Sequence, residues 1–274
     1  MIKKRVHSLF FYLFASLVAF IALLPFFWML STSFKSQGAL MTIPIEWIPS
    51  EPTLEAYTQV FSMFPFARAI FNSLLIAVCY TVITIFSSSM AAFVFAKMKI
   101  PFANGLFKLY LASMMIPTQI TLIPLFVVMN KMGIINTYGS VILPSLFRAF
   151  AVFMLVQTMK TIPNDYLEAA RIDGANPIHI YWKIMLPMCA PTIATLCVTT
   201  FMDSWNDYLW PLVMLSDRSL MTLPLALNQL NGQYATEYNV LMAGSLLSML
   251  PIILVYICAQ KYFKNGLMAG GIKG

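Results

Sequence analysis

Chemically reactive side chains are few in this sequence, and their spacing forms no catalytic or metal-binding motif. The histidines, His7 and His179, stand apart from the cysteines, which are scattered along the chain: Cys79, Cys189, Cys197 and Cys258. Such cysteines lack the short spacing of metal ligands. The sequence has neither a glycine-rich phosphate-binding loop nor a nucleophile elbow. We therefore expect a non-catalytic chain that binds no metal or cofactor and does not itself hydrolyse ATP.

Polar residues inside apolar stretches are the candidates for contact with a polar solute. Arg148 stands near the middle of an apolar run, where a charge costs about 3 kcal/mol in a membrane. Asp203, Asn206 and Asp207 would share one face of a helix. Gln119, which lies between two prolines, is a candidate of the same kind.

Two interpretations of these residues stay open. In the first, Gln119 and the three residues of the Asp/Asn face line a water-filled path and hydrogen-bond a polyhydroxylated solute. In the second, that face packs against a partner subunit, and Arg148 pairs with an acidic neighbour, which is the interpretation we favour for Arg148. Trp205 and Trp210 could stack on sugar rings or could anchor the chain at the membrane interface.

The composition predicts a membrane protein. Of the 274 residues, 60% are hydrophobic and 10% are charged, and the mean hydropathy is +0.79, whereas soluble domains carry about a quarter charged residues. About 20 apolar residues cross the hydrocarbon core. We predict an all-α, polytopic, single transmembrane domain over residues 1–274, with an uncleaved first span. The predicted spans cover residues 9–30, 69–96, 105–128, 138–159, 188–212 and 239–260.

The basic residues predict the orientation of the chain. Placing both termini in the cytoplasm puts most of the 17 basic residues there: Lys3, Lys4, Arg5, Lys97, Lys99, Lys108, Lys160, Arg171, Lys183, Lys261, Lys264 and Lys273. Few remain outside: Lys35, Arg68, Lys131 and Arg218. The positive-inside rule favours this orientation. It also explains the net charge of +7 without a nucleic-acid partner.

A polar stretch, residues 168–191, lies between two apolar runs and predicts two short helices that meet at a corner. The alanine pair near its start favours a helix, and Gly174 is placed to end that helix in a left-handed cap. Asn176 can cap a second helix whose first residue is Pro177. Such a corner suits docking against another protein, and an ordinary amphipathic loop helix is the alternative.

This stretch resembles the EAA motif of ABC importer permeases: EAA, three residues, G, nine residues, then I-x-L-P. The matching and flanking residues are Glu168, Ala169, Ala170, Asp173, Gly174, Ala175, Ile184, Leu186 and Pro187. In that family the segment is the coupling helix, which lies in a groove of a cytosolic ATPase. The resemblance therefore implies that residues 160–187 form a cytoplasmic coupling segment.

The end of the chain resembles the ending of the maltose-type second permease, N-G-L-x-A-G-G-x-K-G. In that family the tail lies between or beside the ATPase subunits. The resemblance implies that the tail, residues 261–274, contacts the ATPases through Asn265, Gly266, Gly270 and Gly271. A disordered glycine-rich terminus is the alternative.

Residues 216–238 are rich in Asn, Gln and Tyr and predict an exposed loop. In maltose-type permeases the matching loop reaches toward the extracellular sugar-binding protein. The resemblance implies that this contact is made by Asn228, Gln229, Asn231, Gln233 and Tyr234. An inert connector is the alternative.

These resemblances together imply a type I ABC importer permease fold and a carbohydrate importer in the inner or plasma membrane of a bacterium. The expected partners are a second, homologous permease that forms a heterodimer with this chain, two cytosolic ATPases that bind ATP and Mg²⁺, an extracellular sugar-binding protein and membrane lipid.

The expected substrate is an oligosaccharide, although in the maltose system the partner permease carries most of the sugar contacts. A glycerol-phosphate or polyol importer is the alternative. An ion-coupled secondary transporter would instead show an internal repeat, and an intramembrane enzyme would need a catalytic constellation.

Overall fold

The computed structural model describes residues 2–40, 42–63, 65–98, 100–231 and 237–270, and the side chains among them from Ser8 to Gln260 apart from Ala259. Within those ranges the regular structure is entirely helical, as predicted. The α-helices are α1 (Ile2–Ser33), α2 (Glu55–Met63), α3 (Phe66–Lys97), α4 (Ala103–Ala112), α5 (Thr118–Lys131), α6 (Tyr138–Ile142), α7 (Ala149–Thr161), α8 (Asp165–Ile172), α9 (Pro177–Ile180), α10 (Leu186–Met188), α11 (Ala190–Trp205), α12 (Leu209–Met214), α13 (Leu223–Leu230) and α14 (Tyr238–Gly270). A π-helical turn over Tyr181–Met185 joins α9 to α10.

Four helical stretches are long and apolar enough to cross a membrane alone: Ser8–Ser33, Phe66–Lys97, Tyr138–Thr161 and Tyr238–Cys258. Two pairs of helices are bent by 105° and 77° respectively and could each count as one further span: Ala103–Met115 with Thr118–Lys131, and Pro177–Met188 with Ala190–Trp205. The described residues thus contain four to six spans. The six predicted spans correspond to these stretches when each bent pair is counted once.

The third and fourth predicted spans are broken helices. The third breaks before Pro117, because a residue that precedes proline is disfavoured in the α conformation, and Ile116 is extended with φ −84° and ψ 117°. The fourth tightens into a 3-10 turn over Leu143–Phe147, and Arg148 is extended before α7 begins. The 3-10 turn contains Pro144, which cannot donate a backbone hydrogen bond.

The fifth span, and the helix that contains the sixth, also differ from the prediction. The fifth does not continue to residue 212, because α11 ends at Trp205 and the helix resumes only at Leu209. The sixth corresponds to the apolar stretch Tyr238–Cys258, although the helix that contains it, α14, continues to Gly270. The backbone of the predicted tail is therefore helical as far as it is described, and Gly271 lies outside the described residues.

The chain forms two compact units, Met1–Ala67 with Ala226–Leu250, and Arg68–Leu225 with Pro251–Gly274. In the first unit the Lys35 side chain is buried. Its ammonium group lies 4.6 Å from the centre of the Trp28 ring and donates to the carbonyl oxygen of Glu46. The Asn239 amide donates to the Lys35 carbonyl at 3.1 Å. These contacts connect the end of α1 to the start of α14.

The core of the second unit is formed around α7. Leu155, Val156 and Met159 of this helix are fully buried. They belong to one cluster with Phe93 of α3 and Met185 of the π-helical turn. The polar stretch that precedes α11 is therefore packed onto the same core as the membrane-spanning helices.

A buried amide of α3 fixes the segment that leads into α13. The Asn72 Nδ2 donates to the carbonyl oxygens of Ser219 and Met221, both at 2.9 Å, and its Oδ1 accepts from the Tyr138 hydroxyl at 2.7 Å. Next to it, the Ser73 hydroxyl accepts the backbone N–H of Leu223 at 2.7 Å. Sequence analysis did not single out Asn72, although an amide inside an apolar run was the available signal.

We expect Asn72→Leu to lower the midpoint of thermal unfolding of the detergent-solubilised protein. The substitution removes the two hydrogen bonds that the Asn72 amide donates and the one that it accepts, and a hydrogen bond contributes about 0.5–1.5 kcal/mol to stability. Asn130→Leu, at an exposed position near the end of α5, is the matched control and should leave the midpoint unchanged. Equal midpoints for the two variants would contradict the assigned role of Asn72.

Candidate functional site

The predicted left-handed cap is present at the end of α8. Gly174 has a φ of +79°, a conformation that residues with a Cβ atom rarely adopt. Its N–H donates to the Arg171 carbonyl at 3.0 Å, and the N–H of Ala175 donates to the Ala170 carbonyl at 2.9 Å. These are the two hydrogen bonds of a Schellman motif, so the prediction that Gly174 ends this helix is confirmed.

The second helix of the corner starts as the sequence predicted. The Asn176 side-chain oxygen accepts the backbone N–H of His179 at 2.7 Å, and Pro177 occupies the first helical position. A π-helical turn and α10 continue the segment as far as Met188, and Cys189 marks the bend of 77° into α11. The end of α8 and the start of α9 are thus both fixed by local hydrogen bonds.

One side of the corner faces away from the protein. Its exposed predicted coupling residues are Glu168, Ala169, Asp173, Gly174 and Pro187, whereas Ala175 and Leu186 are half-buried and Ala170 is buried. Large apolar side chains are exposed beside them: Tyr166 by 52%, Ile172 by 87% and Ile178 by 70%. The prediction missed these three residues, which were recognisable as apolar side chains within a polar segment. Together the exposed residues between 166 and 178 form a surface that we call the corner face.

The opposite side of the corner is fixed to the membrane-spanning helices. Leu167 of α8 is buried in the same core as Met159 of α7. The Lys97 ammonium group, at the end of α3, donates to the Ile162 carbonyl at 2.7 Å and to the Asn164 side chain at 2.8 Å. The corner is therefore attached to α3 by hydrogen bonds and to α7 by buried apolar contacts.

A second link to α3 lies closer to the middle of that helix. The hydroxyl groups of Tyr181 and Ser89 are 2.7 Å apart and share a hydrogen bond. The Tyr181 ring packs against Phe93 with 5.6 Å between ring centres. The π-helical turn is thus bound to α3 by both a polar and an apolar contact.

A cavity of about 480 Å³ lies within the second unit, among α3, α5, α6, α11, α12 and the 3-10 turn that precedes α7. We call it the polar cavity. Apolar side chains such as Phe147 and Trp210 form part of its wall. Its polar wall comprises Tyr80, Thr118, Gln119, Thr121, Arg148, Asp203 and Asp207.

Two residues of the cavity wall, Arg148 and Asp203, form an ion pair. The Nη2 atom of Arg148 lies 2.6 Å from the Oδ2 atom of Asp203, which confirms the predicted pairing of Arg148 with an acidic neighbour. Nη1 donates to the Tyr80 hydroxyl at 3.1 Å, and the guanidinium carbon lies 5.7 Å from the centre of the Tyr80 ring. Within the described ranges no other salt bridge is formed.

The prediction that Asp203, Asn206 and Asp207 share one helical face is wrong, because α11 ends at Trp205, before the last two of these residues. Asp207 follows the helix end, yet it still lines the cavity, and its Oδ1 accepts the N–H of Trp210 at 3.3 Å. Asn206 does not line the cavity, because its side-chain amide donates to the Met202 carbonyl at 2.9 Å. The tertiary fold therefore brings together Gln119, Asp203 and Asp207 but leaves Asn206 out.

The two tryptophans near the cavity have different surroundings. Trp205 is 2% exposed and stacks on Phe201 with 5.7 Å between ring centres, so it does not present a ring to a sugar. Trp210 lines the cavity and is held there, because its Nε1 donates to the Ser140 carbonyl at 3.1 Å.

The segment predicted as an exposed loop contains a helix. Asn228 and Gln229 lie in α13, and these two residues and Asn231 are exposed. Gln233 and Tyr234 lie outside the described residues, whereas Asn265, Gly266 and Gly270 lie in α14.

Apolar spans, a polar cavity within them and an exposed corner attached to them define a membrane permease. The chain belongs to the family of binding-protein-dependent transport system inner membrane components, whose family model matches residues 83–268. It is a non-catalytic, bacterial membrane component of an ABC transporter. The secondary transporter and the intramembrane enzyme are thereby excluded.

Similarity to known proteins extends over nearly the whole chain. The arabinooligosaccharides transport system permease protein AraQ of Halalkalibacterium halodurans is 37% identical over 260 residues, which cover 94% of this chain and 93% of that protein. A bacterial ABC transporter involved in the import of the acidic polysaccharide alginate has the same fold, with a TM-score of 0.86, 23% identity and coverage of 95% and 98%.

A second solved structure is a bacterial alginate ABC transporter in complex with a periplasmic protein that carries an alginate pentasaccharide. It matches with a TM-score of 0.66 and 16% identity, and the match covers 93% of each chain. These likenesses confirm the predicted ABC importer permease fold.

The ion pair predicts a non-additive pair of substitutions. We expect Arg148→Met and Asp203→Asn each to lower the midpoint of thermal unfolding, and the double variant to lose less than the sum. Because the side chains are 34% and 57% exposed, we expect a coupling of about 1 kcal/mol. Combining Arg148→Met with Asp217→Asn, a carboxylate outside the cavity, should give an additive loss. Additivity in both double variants would contradict a stabilising ion pair.

Proposed function

We propose that this chain forms half of the translocation path of an ATP-driven oligosaccharide importer and pairs with a second, homologous permease. Two cytosolic ATPase subunits would bind ATP and Mg²⁺, and an extracellular binding protein would deliver the sugar. The observation that carries this proposal is the corner, which exposes one face and is bound to α3 and α7 by the other.

The corner face has the chemistry of a docking surface. Ile172 and Ile178 project apolar side chains beside the charged Glu168 and Asp173. Burial of one isoleucine side chain in a groove stabilises a complex by about 1.5–3 kcal/mol. An ATPase groove of matching shape would therefore gain affinity from the isoleucines and orientation from the carboxylates.

Helix α3 offers a direct path from the corner to the polar cavity. Lys97 and Ser89 bind the corner segment, and Tyr80, on the same helix, contacts Arg148 in the cavity. At 1.5 Å per residue, about 25 Å of continuous helix separate Lys97 from Tyr80. Closure of the ATPases would displace the corner, and α3 would carry that displacement to the cavity wall.

The polar cavity suits a polyhydroxylated solute. Gln119 and Thr121 offer hydrogen-bonding groups, and Trp210 offers an aromatic surface. The relative AraQ is named for the transport of arabino-oligosaccharides, and we assign the same broad class of substrate to this chain. A glycerol-phosphate or polyol substrate remains the alternative.

In this proposal both termini and the corner are cytoplasmic. The exposed side chains of Asn228, Gln229 and Asn231 would contact the extracellular binding protein, together with Gln233 and Tyr234. The ATPases would also contact the tail at Asn265, Gly266, Gly270 and Gly271.

We expect Gly174→Val to abolish ATPase association while the chain still inserts into the membrane. No atom lies within 4 Å of the added Cβ, but the φ of +79° strains any β-branched residue, so the corner must change shape. Copurification of the ATPase measures the effect. Gly133→Val is the matched control. Gly133 also has a positive φ, +69°, and no atom within 4 Å of an added Cβ, but it lies between α5 and α6, outside the corner. Equal ATPase association in both variants would contradict the coupling role.

Orientation can be tested with a photo-crosslinking amino acid. At Ile172 we expect crosslinks to a cytosolic ATPase, and at Asn228 we expect crosslinks to the binding protein, because the two positions would lie on opposite sides of the membrane. Mass spectrometry of the crosslinked products in intact cells identifies each partner. A crosslink from Ile172 to an extracellular protein would reverse the proposed topology.

A further inference from the structure

The charges that line the polar cavity do not balance. Its ionic side chains are one cation, Arg148, and two carboxylates, Asp203 and Asp207. Since all three belong to the second unit, their arrangement is fixed within one compact part of the chain.

The guanidinium group of Arg148 already has an ionic partner and a hydrogen-bond partner. One nitrogen of its guanidinium group lies 2.6 Å from Asp203, and the other donates to the Tyr80 hydroxyl at 3.1 Å. Asp203 neutralises the guanidinium charge, so little attraction remains for a second anion. An acidic sugar that entered the cavity would have to displace Asp203 from Arg148.

In the described part of the chain, Asp207 has no counter-ion within salt-bridge distance, although the more distant Arg148 also attracts its carboxylate. Its Oδ1 accepts the backbone N–H of Trp210 at 3.3 Å, and within the described ranges it forms no ion pair. A backbone N–H orients the carboxylate without cancelling its charge. The polar cavity therefore carries a surplus negative charge at Asp207.

We propose that Asp207 makes the polar cavity selective for uncharged saccharides and against anionic ones. This inference rests on the proposed transport function and adds the charge class of the substrate. A carboxylate repels uronate, sulfonate and phosphate groups, whereas it accepts hydrogen bonds from neutral sugar hydroxyls. The inferred substrate is therefore a neutral oligosaccharide rather than a fragment of an acidic polysaccharide such as alginate. Glycerol phosphate, which is also anionic, is disfavoured.

The surplus charge can be measured without knowing the substrate. Thr121→Cys places a thiol in the cavity wall of the detergent-solubilised transporter assembly, and peptide mass spectrometry follows its modification by cationic and anionic methanethiosulfonates. Relative to free cysteine, we expect the cationic reagent to be favoured on the order of fivefold. Adding Asp207→Asn should reduce that preference to about twofold or less.

Asp217→Asn is the matched control, because Asp217 lies outside the cavity wall and its carboxylate is bound to the N–H of Ser219. It should leave the preference unchanged, and Gln119→Cys provides a second reporter position if Thr121→Cys fails to assemble. An unchanged preference in Asp207→Asn, or a preference for the anionic reagent, would overturn the inference.

Uptake measurements separate this inference from the proposed function. Vesicles that contain the whole importer and its binding protein are supplied with neutral arabino-oligosaccharides or with oligogalacturonates of equal length. Uptake of the neutral sugars alone by the unmodified importer, with increased oligogalacturonate uptake by Asp207→Asn, supports the inference. Equal uptake of both sugars by the unmodified importer, or unchanged discrimination in Asp207→Asn, overturns it while leaving ATP-driven sugar import intact. ATP-driven uptake of neither sugar would overturn the proposed function and, with it, the assignment of a substrate class.

Discussion

The attachment of the corner to the membrane-spanning helices is the constraint on which the other features depend. A cap at Gly174 sets the angle between α8 and α9, but the angle matters only because the back of the corner is buried against α7 and bound to α3. Lys97 strengthens that attachment by hydrogen bonding across the start of α8. The coupling role proposed for the corner requires these contacts, because they are its attachment to the membrane-spanning helices.

Helix α3 connects the corner to the polar cavity within the second unit. Its end contacts the corner, and Tyr80, farther back along the helix, supports Arg148 in the polar cavity. The Arg148–Asp203 ion pair joins the start of α7 to α11 at the point where both spans are interrupted. The cavity is therefore built around helix breaks, and hydrogen bonds hold Arg148 and Trp210 in place there.

Sequence reasoning found the corner because its signals are local. Gly174, Asn176 and Pro177 act through bonds to residues only a few positions away, so their types and order suffice to predict their geometry. Sequence reasoning identified only part of the cavity, because it predicted a continuous helix beyond Trp205, where α11 in fact ends. Asn206 was included for that reason, and Tyr80 was missed because a tyrosine within an apolar span gives no distinctive signal.

The amino-acid sequence by itself determined the all-helical membrane class, the family and the shape of the corner, since hydropathy and capping depend on neighbouring residues. Only the tertiary structure decided which acidic residue pairs with Arg148 and which carboxylate is left out of that ion pair. It also decided that Asn72 would hold the segment before α13. These contacts join residues 55 to 149 positions apart along the chain, and such pairings depend on how the helices pack rather than on any local pattern.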